Sequence, residues 1–422
     1  MNAAVATRSS AAAPIPPARR RRADRSDGLA LALLLTPLVA TTVLAKWATP
    51  IGPADLGMSW PLILGAVLLG WISGRLRADP ARCTAFLALV GSLGLIQLVR
   101  GEPFSLPSLL LMSAIFGCYV VSATHGAPSP ARALDLFLGL CGFIALAAVA
   151  QFLVQFVVGR DLAFPVDNLL PRSLLIQGYN NQIPIDAGTT IQKANGVFLL
   201  EPSFLSQLMA VAIVAQLTDT REQPALGRAA RLATFCAALY LSFSGTGLLV
   251  LAVALPVLVI VQRRWSLMLL AALAIGASWA FHEALRLDVY LERASEFTSM
   301  RSSGFERFVS PFLMFDEFLW RDPWRTLFGI GAGSYMPHVA IAYYPAAEMA
   351  YSKIVFEYGV FGAAGTFGFL LWAVFRSPAP LALQVAVIVM FFMSGLYTAA
   401  SHGIALTLLA WPHAKTQDGS QR

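Results

Sequence analysis

GVFLLEPSFLSQLMAVAIVAQL, residues Gly196 to Leu217, is the stretch on which the reading of the fold turns. Apart from Glu201 it is uncharged, and all but two glutamines are apolar or small. About 20 such residues span a bilayer as a helix, so the run is long enough to cross. A carboxylate inside it is costly, roughly 2.5–3.5 kcal/mol at the bilayer centre and less near an interface. Glu201 falls about five residues into the run, roughly 8 Å along a helix axis, and Pro202 follows at once and loosens the backbone. The expectation is a carboxylate held at the rim of a membrane cavity.

The rest of the chain agrees with a membrane setting. Of 422 residues, 57% are hydrophobic and only 13% charged, against about 25% charged in soluble domains. The net charge of +7 is carried by tails and short loops, so it is not a nucleic-acid signal. Cys83, Cys118, Cys141 and Cys236 lie in or beside apolar segments without metal or disulfide spacing, so neither a metal site nor a disulfide framework is expected. Residues 1–27 hold Arg19–Arg22 and read as a disordered basic cytoplasmic tail.

Twelve apolar segments follow, at 28–45, 59–75, 83–99, 104–123, 133–158, 196–218, 229–243, 246–262, 266–281, 351–375, 380–398 and 400–411. The fold class expected is an all-α integral membrane protein with about 12 transmembrane helices. Helices 1–5 occupy 28–158, helices 6–9 occupy 196–281 and helices 10–12 occupy 351–411. Two long outer loops, 159–195 and 282–350, separate them, and 412–422 is a second cytoplasmic tail. Basic residues support this count. Arg75, Arg77, Arg82, Arg132, Arg221, Arg228, Arg231, Arg263, Arg264 and Arg376 fall on one side, and the short loops opposite hold only Lys46 and Arg100. By the positive-inside rule both termini are cytoplasmic.

The first outer loop contains Arg160, Arg172, Gln177-Gly-Tyr179-Asn180-Asn181-Gln182 and Lys193. Amides and a tyrosine suit hydroxyl-rich ligands, since they donate to and accept from several hydroxyls. A solvated turn-rich loop is the equally weighted alternative. In the second loop, RSSGFER places Arg301 and Arg307 around a small-residue turn. Phe305, Phe308, Val309, Phe312 and Leu313 follow at helical spacing, as in a short amphipathic helix on the membrane surface. Arginine's planar fork matches phosphate, although headgroup anchoring or pairing with Glu296 and Glu306 would also account for these residues. GIGAGSY, Gly329–Tyr335, lacks the βαβ context of a dinucleotide fingerprint and reads as a tight loop under an active cavity. His338 follows it and is a general-base candidate, with a structural role the commoner one. Lys353 and Glu357, four residues apart, are spaced to pair on one helix face. His282, His402 and His413 sit at membrane boundaries and carry little functional weight.

FLLEPSFLSQ, LSFSGTGLL, RSSGFER, FGIGAGSY and KIVFEYGVFG occur here in an order and spacing that resemble Wzy-type polysaccharide polymerases. The wider superfamily includes the O-antigen ligases. The likeness covers roughly residues 195–362. It implies a membrane glycosyltransferase of the lipid-linked-donor kind, GT-C-like in architecture, working at the outer face of the bacterial inner membrane. Such enzymes transfer a growing glycan from undecaprenyl pyrophosphate to a sugar hydroxyl on another lipid-linked repeat unit, without metal or other cofactor. The products of the family are exopolysaccharide, capsule or O-antigen. Its implied partners are the undecaprenyl pyrophosphate-linked oligosaccharide, membrane lipids, a chain-length regulator and a repeat-unit flippase, with no nucleic acid.

On this resemblance Arg301 and Arg307 balance pyrophosphate charge, and Glu201 activates the acceptor or organises the site. Arg172, Tyr179, Asn180, Lys193 and Ser203 contact phosphate or sugar, and His338 is a candidate base. The ligases carry a His-Asn or His-Ser pair before the next helix. Here that stretch reads EMAYSKIVFEYG, which favours polymerase over ligase or protein O-oligosaccharyltransferase. A transporter or flippase is the rival of another class. Its usual two related halves do not match a chain divided nine helices to three.

Overall fold

The computed structural model describes residues 17–49, 57–124, 129–186, 188–266 and 302–412, together with 273, 276, 279–283, 286, 289 and 297–300; side chains are described from Gly28 onward. The chain is mostly helical, with one two-stranded antiparallel pairing, Leu76–Ala78 against Val121–Ala123. Among the described residues four helices are long and apolar enough to cross a membrane: Pro80–Arg100, Pro130–Val158, Gly245–Gln262 and Ala350–Phe375. Shorter apolar helices include Ser59–Ile72, Pro202–Thr218 and Leu381–Phe392. This is the pattern of an all-α membrane protein. The expected ninth segment, 266–281, and the terminal tail residues 1–16 and 413–422 lie outside the described residues or mostly so, and His413 and Glu296 lie outside them.

Local chemistry sets the helix starts. Asp79 accepts the amides of Ala81 and Arg82 at 3.0 and 3.3 Å, with Pro80 in the first turn. Ser129 caps the Pro130–Val158 helix in the same way. A side-chain oxygen satisfies amides that have no intrahelical partner, and proline in the first turn loses nothing.

The Pro202–Thr218 helix is the hub. All but one of its residues are buried, and it packs against the Pro130–Val158, Ala225–Leu241, Gly245–Gln262 and Leu381–Phe392 helices. A helix apolar on every face buries most area at the centre of a bundle. The expected span of 196–218 needs correction at its start. Residues 196–201 are not helical; Gly196 and Val197 have φ of 70° and 68°, and Glu201 is the extended residue immediately before the helix. Pro202 therefore does not loosen a helix already under way. It begins one, as its missing N–H and fixed φ favour.

Polar groups gather at the two ends of this hub. At the Thr218 end, Arg228 and Arg264 donate to the carbonyls of Gln216 and Leu217, and Arg221 bridges Asp219 and Asp135. Arg82, buried at the same side of the bundle, donates to the carbonyls of Tyr119, Val121 and Ala410. Arginines there complete the unpaired carbonyls of helix C-termini, so the basic side predicted by sequence is also a structural seam. The Glu201 end gathers the outer-loop residues.

Other interruptions lie at that end. Leu381–Phe392 stops, Met393–Thr398 runs irregularly, and Ala399–Ala405 resumes. The Ala350–Phe375 helix breaks at Gly359, with φ 66° and ψ −171°. Irregular backbone at membrane depth persists only where protein satisfies it. Accordingly, Ala350 donates to the Ser394 carbonyl at 2.8 Å, Trp60 Nε1 to Tyr397 at 2.6 Å and His402 Nε2 to Leu396 at 2.9 Å. That last bond makes Nε2 the donor in His402, so Nδ1 accepts from the Tyr119 hydroxyl at 3.0 Å. His402 is thus a brace in an aromatic cage.

Candidate functional site

The sequence motifs pair in space, EPSFLS with RSSGFER and SGTG, and GIGAG with KIVFEYG. In EPSFLS, Glu201 Oε2 accepts from Arg307 Nη2 at 2.7 Å and from Ser203 Oγ at 2.9 Å, and Oε1 accepts the Asn180 amide at 3.2 Å. In SGTG, the Gly247 amide donates to Ser206 Oγ at 2.7 Å, and Thr246 donates to the Ser203 carbonyl. A Cβ at Gly247 would lie 2.3 Å from Ser206, so only glycine admits this approach. In GIGAG, the Ile330 and Gly331 amides donate to the carbonyls of Phe356 and Glu357 in KIVFEYG. The ordered motifs thus touch in space as well as following one another in the chain.

Glu201 is 8% exposed, and the charge-assisted contacts it makes are the stronger kind. All its oxygens are engaged, and they tie the first outer loop, the hub helix and the second outer loop to one carboxylate. Arg307 is fixed from behind, because Tyr351 donates its hydroxyl to the Arg307 carbonyl at 2.7 Å. Ser302 caps the short Ser303–Phe308 helix that presents it. A second short helix, Ser310–Met314, continues after a break at Val309. The amphipathic expectation is met in part: Phe305 and Met314 are buried, while Phe312 and Leu313 are exposed. Arg301 lies outside the described residues. Glu306 sits beside Arg307; burial raises its pKa, opposed by Arg307 and reinforced by Glu201.

The turn leading to Glu201 is strained. Val197 is β-branched at positive φ, a conformation costing of order 1–3 kcal/mol. It is held because its amide donates to Asn195 Oδ1 at 3.1 Å and Gln151 Oε1 at 3.3 Å, and Gln151 in turn donates to Asn195 at 2.9 Å.

Beneath Arg307 lies a group of charges that the sequence only half disclosed. Lys353 and Glu357 pair at 2.7 Å, as their spacing predicts, and Lys353 also lies 3.5 Å from Glu348. Two carboxylates therefore share one ammonium. Burial raises the pKa of Glu348, with Lys353 opposing and Glu357 adding to the shift. Glu348 was not among the expected site residues. Its partners arrive through tertiary structure, and no local motif marks it.

The other expected residues fall in different places. Tyr179 is 37% exposed through its ring, while its hydroxyl turns inward to Thr398. Burial, then the charge of Glu201, raises the pKa of that hydroxyl. Arg172 and Tyr179 line an open cavity of about 710 Å³ on the first outer loop. Asn180 contributes its backbone rather than its amide. Lys193 is 5% exposed, its amide bonded to the Ile183 carbonyl. His338 packs its ring against Phe318 and Phe356, and its Nδ1 donates to the Ser334 carbonyl at 2.7 Å. Among the described residues no contact joins it to Glu201 or Arg307.

The arrangement is a rim of one engaged carboxylate, one oriented arginine and one half-buried carboxylate of raised proton affinity. It can hold an anion and accept a proton. Neither a scan against protein-family models nor a search of curated proteins returned a match to this chain.

Proposed function

We propose that the protein is a polysaccharide polymerase of the Wzy kind, transferring a glycan from undecaprenyl pyrophosphate to a hydroxyl of another lipid-linked repeat unit. The observation carrying this reading is the Glu201–Arg307 ion pair at 2.7 Å, which joins both outer loops at the end of the hub helix. The resemblance carried by the five ordered motifs supports the same reading.

In this reaction the acceptor hydroxyl oxygen attacks the anomeric carbon of the donor. The bond from that carbon to the diphosphate oxygen breaks, and its electron pair leaves on undecaprenyl pyrophosphate. Arg307 stabilises the charge growing on the leaving oxygens through preorganised donors. Glu201 orients Arg307; with every oxygen already bonded it is a brace rather than a base. The hydroxyl proton passes to Glu348, whose carboxylate has only the shared Lys353 opposite it among the described residues. Arg301, beside Arg307 in sequence, is a second candidate for the diphosphate.

Purified protein supplied with undecaprenyl pyrophosphate-linked repeat units is expected to release undecaprenyl pyrophosphate as longer glycans appear. Absence of both, in protein that remains folded, overturns the reading. The same assay checks the base. Lys353 and Glu357 face Glu348 from the helix that starts just after it, and Tyr179, Tyr335 and Tyr397 feel its charge from neighbouring segments. A raised carboxyl pKa means the neutral form persists to higher pH, and only the anion accepts a proton. The rate therefore falls with decreasing pH above the usual carboxylate range of about 4. Glu348→Gln is expected to cost about 10²–10⁴-fold and to abolish that acid limb, whereas Glu348→Asp keeps it. An unchanged profile in Glu348→Gln would remove Glu348 from the chemistry.

The reading places the Glu201 end outside the inner membrane, with twelve spans and both termini in the cytoplasm. An alkaline phosphatase fusion at residue 320 is then active; an inactive, stably made fusion would reverse the orientation.

A further inference from the structure

The cavity on the first outer loop has a chemistry of its own. Its volume of about 710 Å³ lies within the range of about 300–1,000 Å³ that holds small ligands. Most such pockets are apolar; this one is lined by Asn168, Gln182, Thr190, the ring of Tyr179, Arg160 and Arg172. The amides are pre-set: Gln182 donates to Asn168 Oδ1 at 2.8 Å and Asn168 Nδ2 donates one hydrogen to the Asp161 carbonyl at 3.1 Å, leaving the Gln182 oxygen and the second Asn168 amide hydrogen to meet hydroxyls. An exposed aromatic face beside amides suits a pyranose ring, which offers C–H on one face and hydroxyls at its edge.

Charge narrows the ligand further. The one carboxylate among the lining residues, Asp167, is already neutralised: Lys46, 1% exposed, donates to Asp167 Oδ2 at 2.6 Å, and Asn181 donates to Oδ1 at 2.9 Å. Among the described residues Arg160 has only a solvent-exposed acidic partner, Asp161, at 3.5 Å, a geometry worth little. The Arg172 guanidinium makes no side-chain bond among the described residues. Two arginines thus face a polar cavity whose own carboxylate is spent. The cavity adjoins the catalytic rim through Tyr179 and Asn181, which lie on either side of the residue bonded to Glu201.

We propose that this cavity binds a carboxylate-bearing oligosaccharide, so that the repeat unit carries an acidic sugar such as a uronic acid. Its identification as part of a glycan substrate rests on the polymerase reading above; the preference for an anionic sugar rests on Arg160, Arg172 and the neutralised Asp167.

The test is binding to purified protein in nanodiscs, with a trigalacturonate and neutral maltotriose as probes and calorimetry as the readout. The trigalacturonate is expected to bind at least about tenfold more tightly than maltotriose, and to weaken as salt rises. The Arg160→Ala/Arg172→Ala double variant is expected to remove that preference, and Arg321→Ala, on the second loop, to leave it. Equal binding of both sugars overturns the acidic preference, and binding of neither overturns the site. Failure of the polymerase reading is distinguishable. A protein that binds trigalacturonate through Arg160 and Arg172 but releases no undecaprenyl pyrophosphate keeps the cavity and loses the polymerase.

Discussion

Arg307→Ala is expected to lower glycan transfer by about 10²–10³-fold, the usual loss when one preorganised charge donor is removed from a leaving group. The protein should remain folded, because Arg307 is partly exposed and its carbonyl, not its side chain, holds Tyr351. Arg307→Lys keeps a charge but loses the planar fork, and should fall between. Glu201→Gln tests the brace separately. Its amide nitrogen would face the Arg307 and Ser203 donors or, if flipped, the Asn180 N–H, so at least one bond is lost in either orientation. The rate should fall by at least about tenfold, one charge-assisted contact being worth about 1.5–3 kcal/mol. Because Glu201 is not the base in the proposed reaction, the acid limb of the pH profile should survive in Glu201→Gln. Turnover of lipid-linked repeats, at matched protein levels, reads both. Full activity in Arg307→Ala would end the pyrophosphate assignment; loss of the acid limb in Glu201→Gln would return the base to Glu201.

Gly359→Ala should abolish the folded protein. Gly359 has φ 66° and ψ −171°, a region open essentially to glycine alone. A Cβ there would lie 2.4 Å from Gly329 N and from the Leu327 carbonyl carbon and oxygen. The facing Gly329 is equally closed, its Cβ falling 2.4 Å from the Glu357–Tyr358 peptide. Neither backbone can yield, because the Ile330 and Gly331 amides bond the carbonyls of Phe356 and Glu357 across the crossing. Strain alone costs about 1–3 kcal/mol, and the overlap adds to it. Gly368→Ala, in the same helix with nothing within 4 Å of the added atom, is the control and should be close to neutral. Fluorescence-detected size exclusion after heating separates the two. A Gly359→Ala protein as heat-resistant as the control would refute the crossing.

Much of the architecture was legible because hydropathy is a property of segments. The apolar runs at 83–99, 133–158, 246–262 and 351–375 correspond to the four long helices. The start of the hub helix was misplaced because Gly196–Leu200 is as apolar as the helix itself. Hydropathy cannot separate a buried turn from a buried helix when both are lined by protein.

The site was legible unevenly. Glu201 and Arg307 stood out as charges in unfavourable or isolated settings, and they meet at 2.7 Å across 106 positions of sequence. Lys353–Glu357 followed from spacing alone. Glu348, Thr398 and Tyr351 gave no local signal; their roles exist only once the Met393–Thr398 interruption and the Ala350–Phe375 helix lie beside the outer loops.

By itself, then, the sequence determined a helical membrane chain with its basic residues on one side and an anomalous carboxylate opposite, since transfer energies and helical periods are read residue by residue. Tertiary structure alone decided that this carboxylate ends a turn, braces Arg307 and leaves Glu348 to take a proton in the proposed reaction. A hydrogen bond is satisfied over about 3 Å, and sequence carries no distance between residues a hundred positions apart.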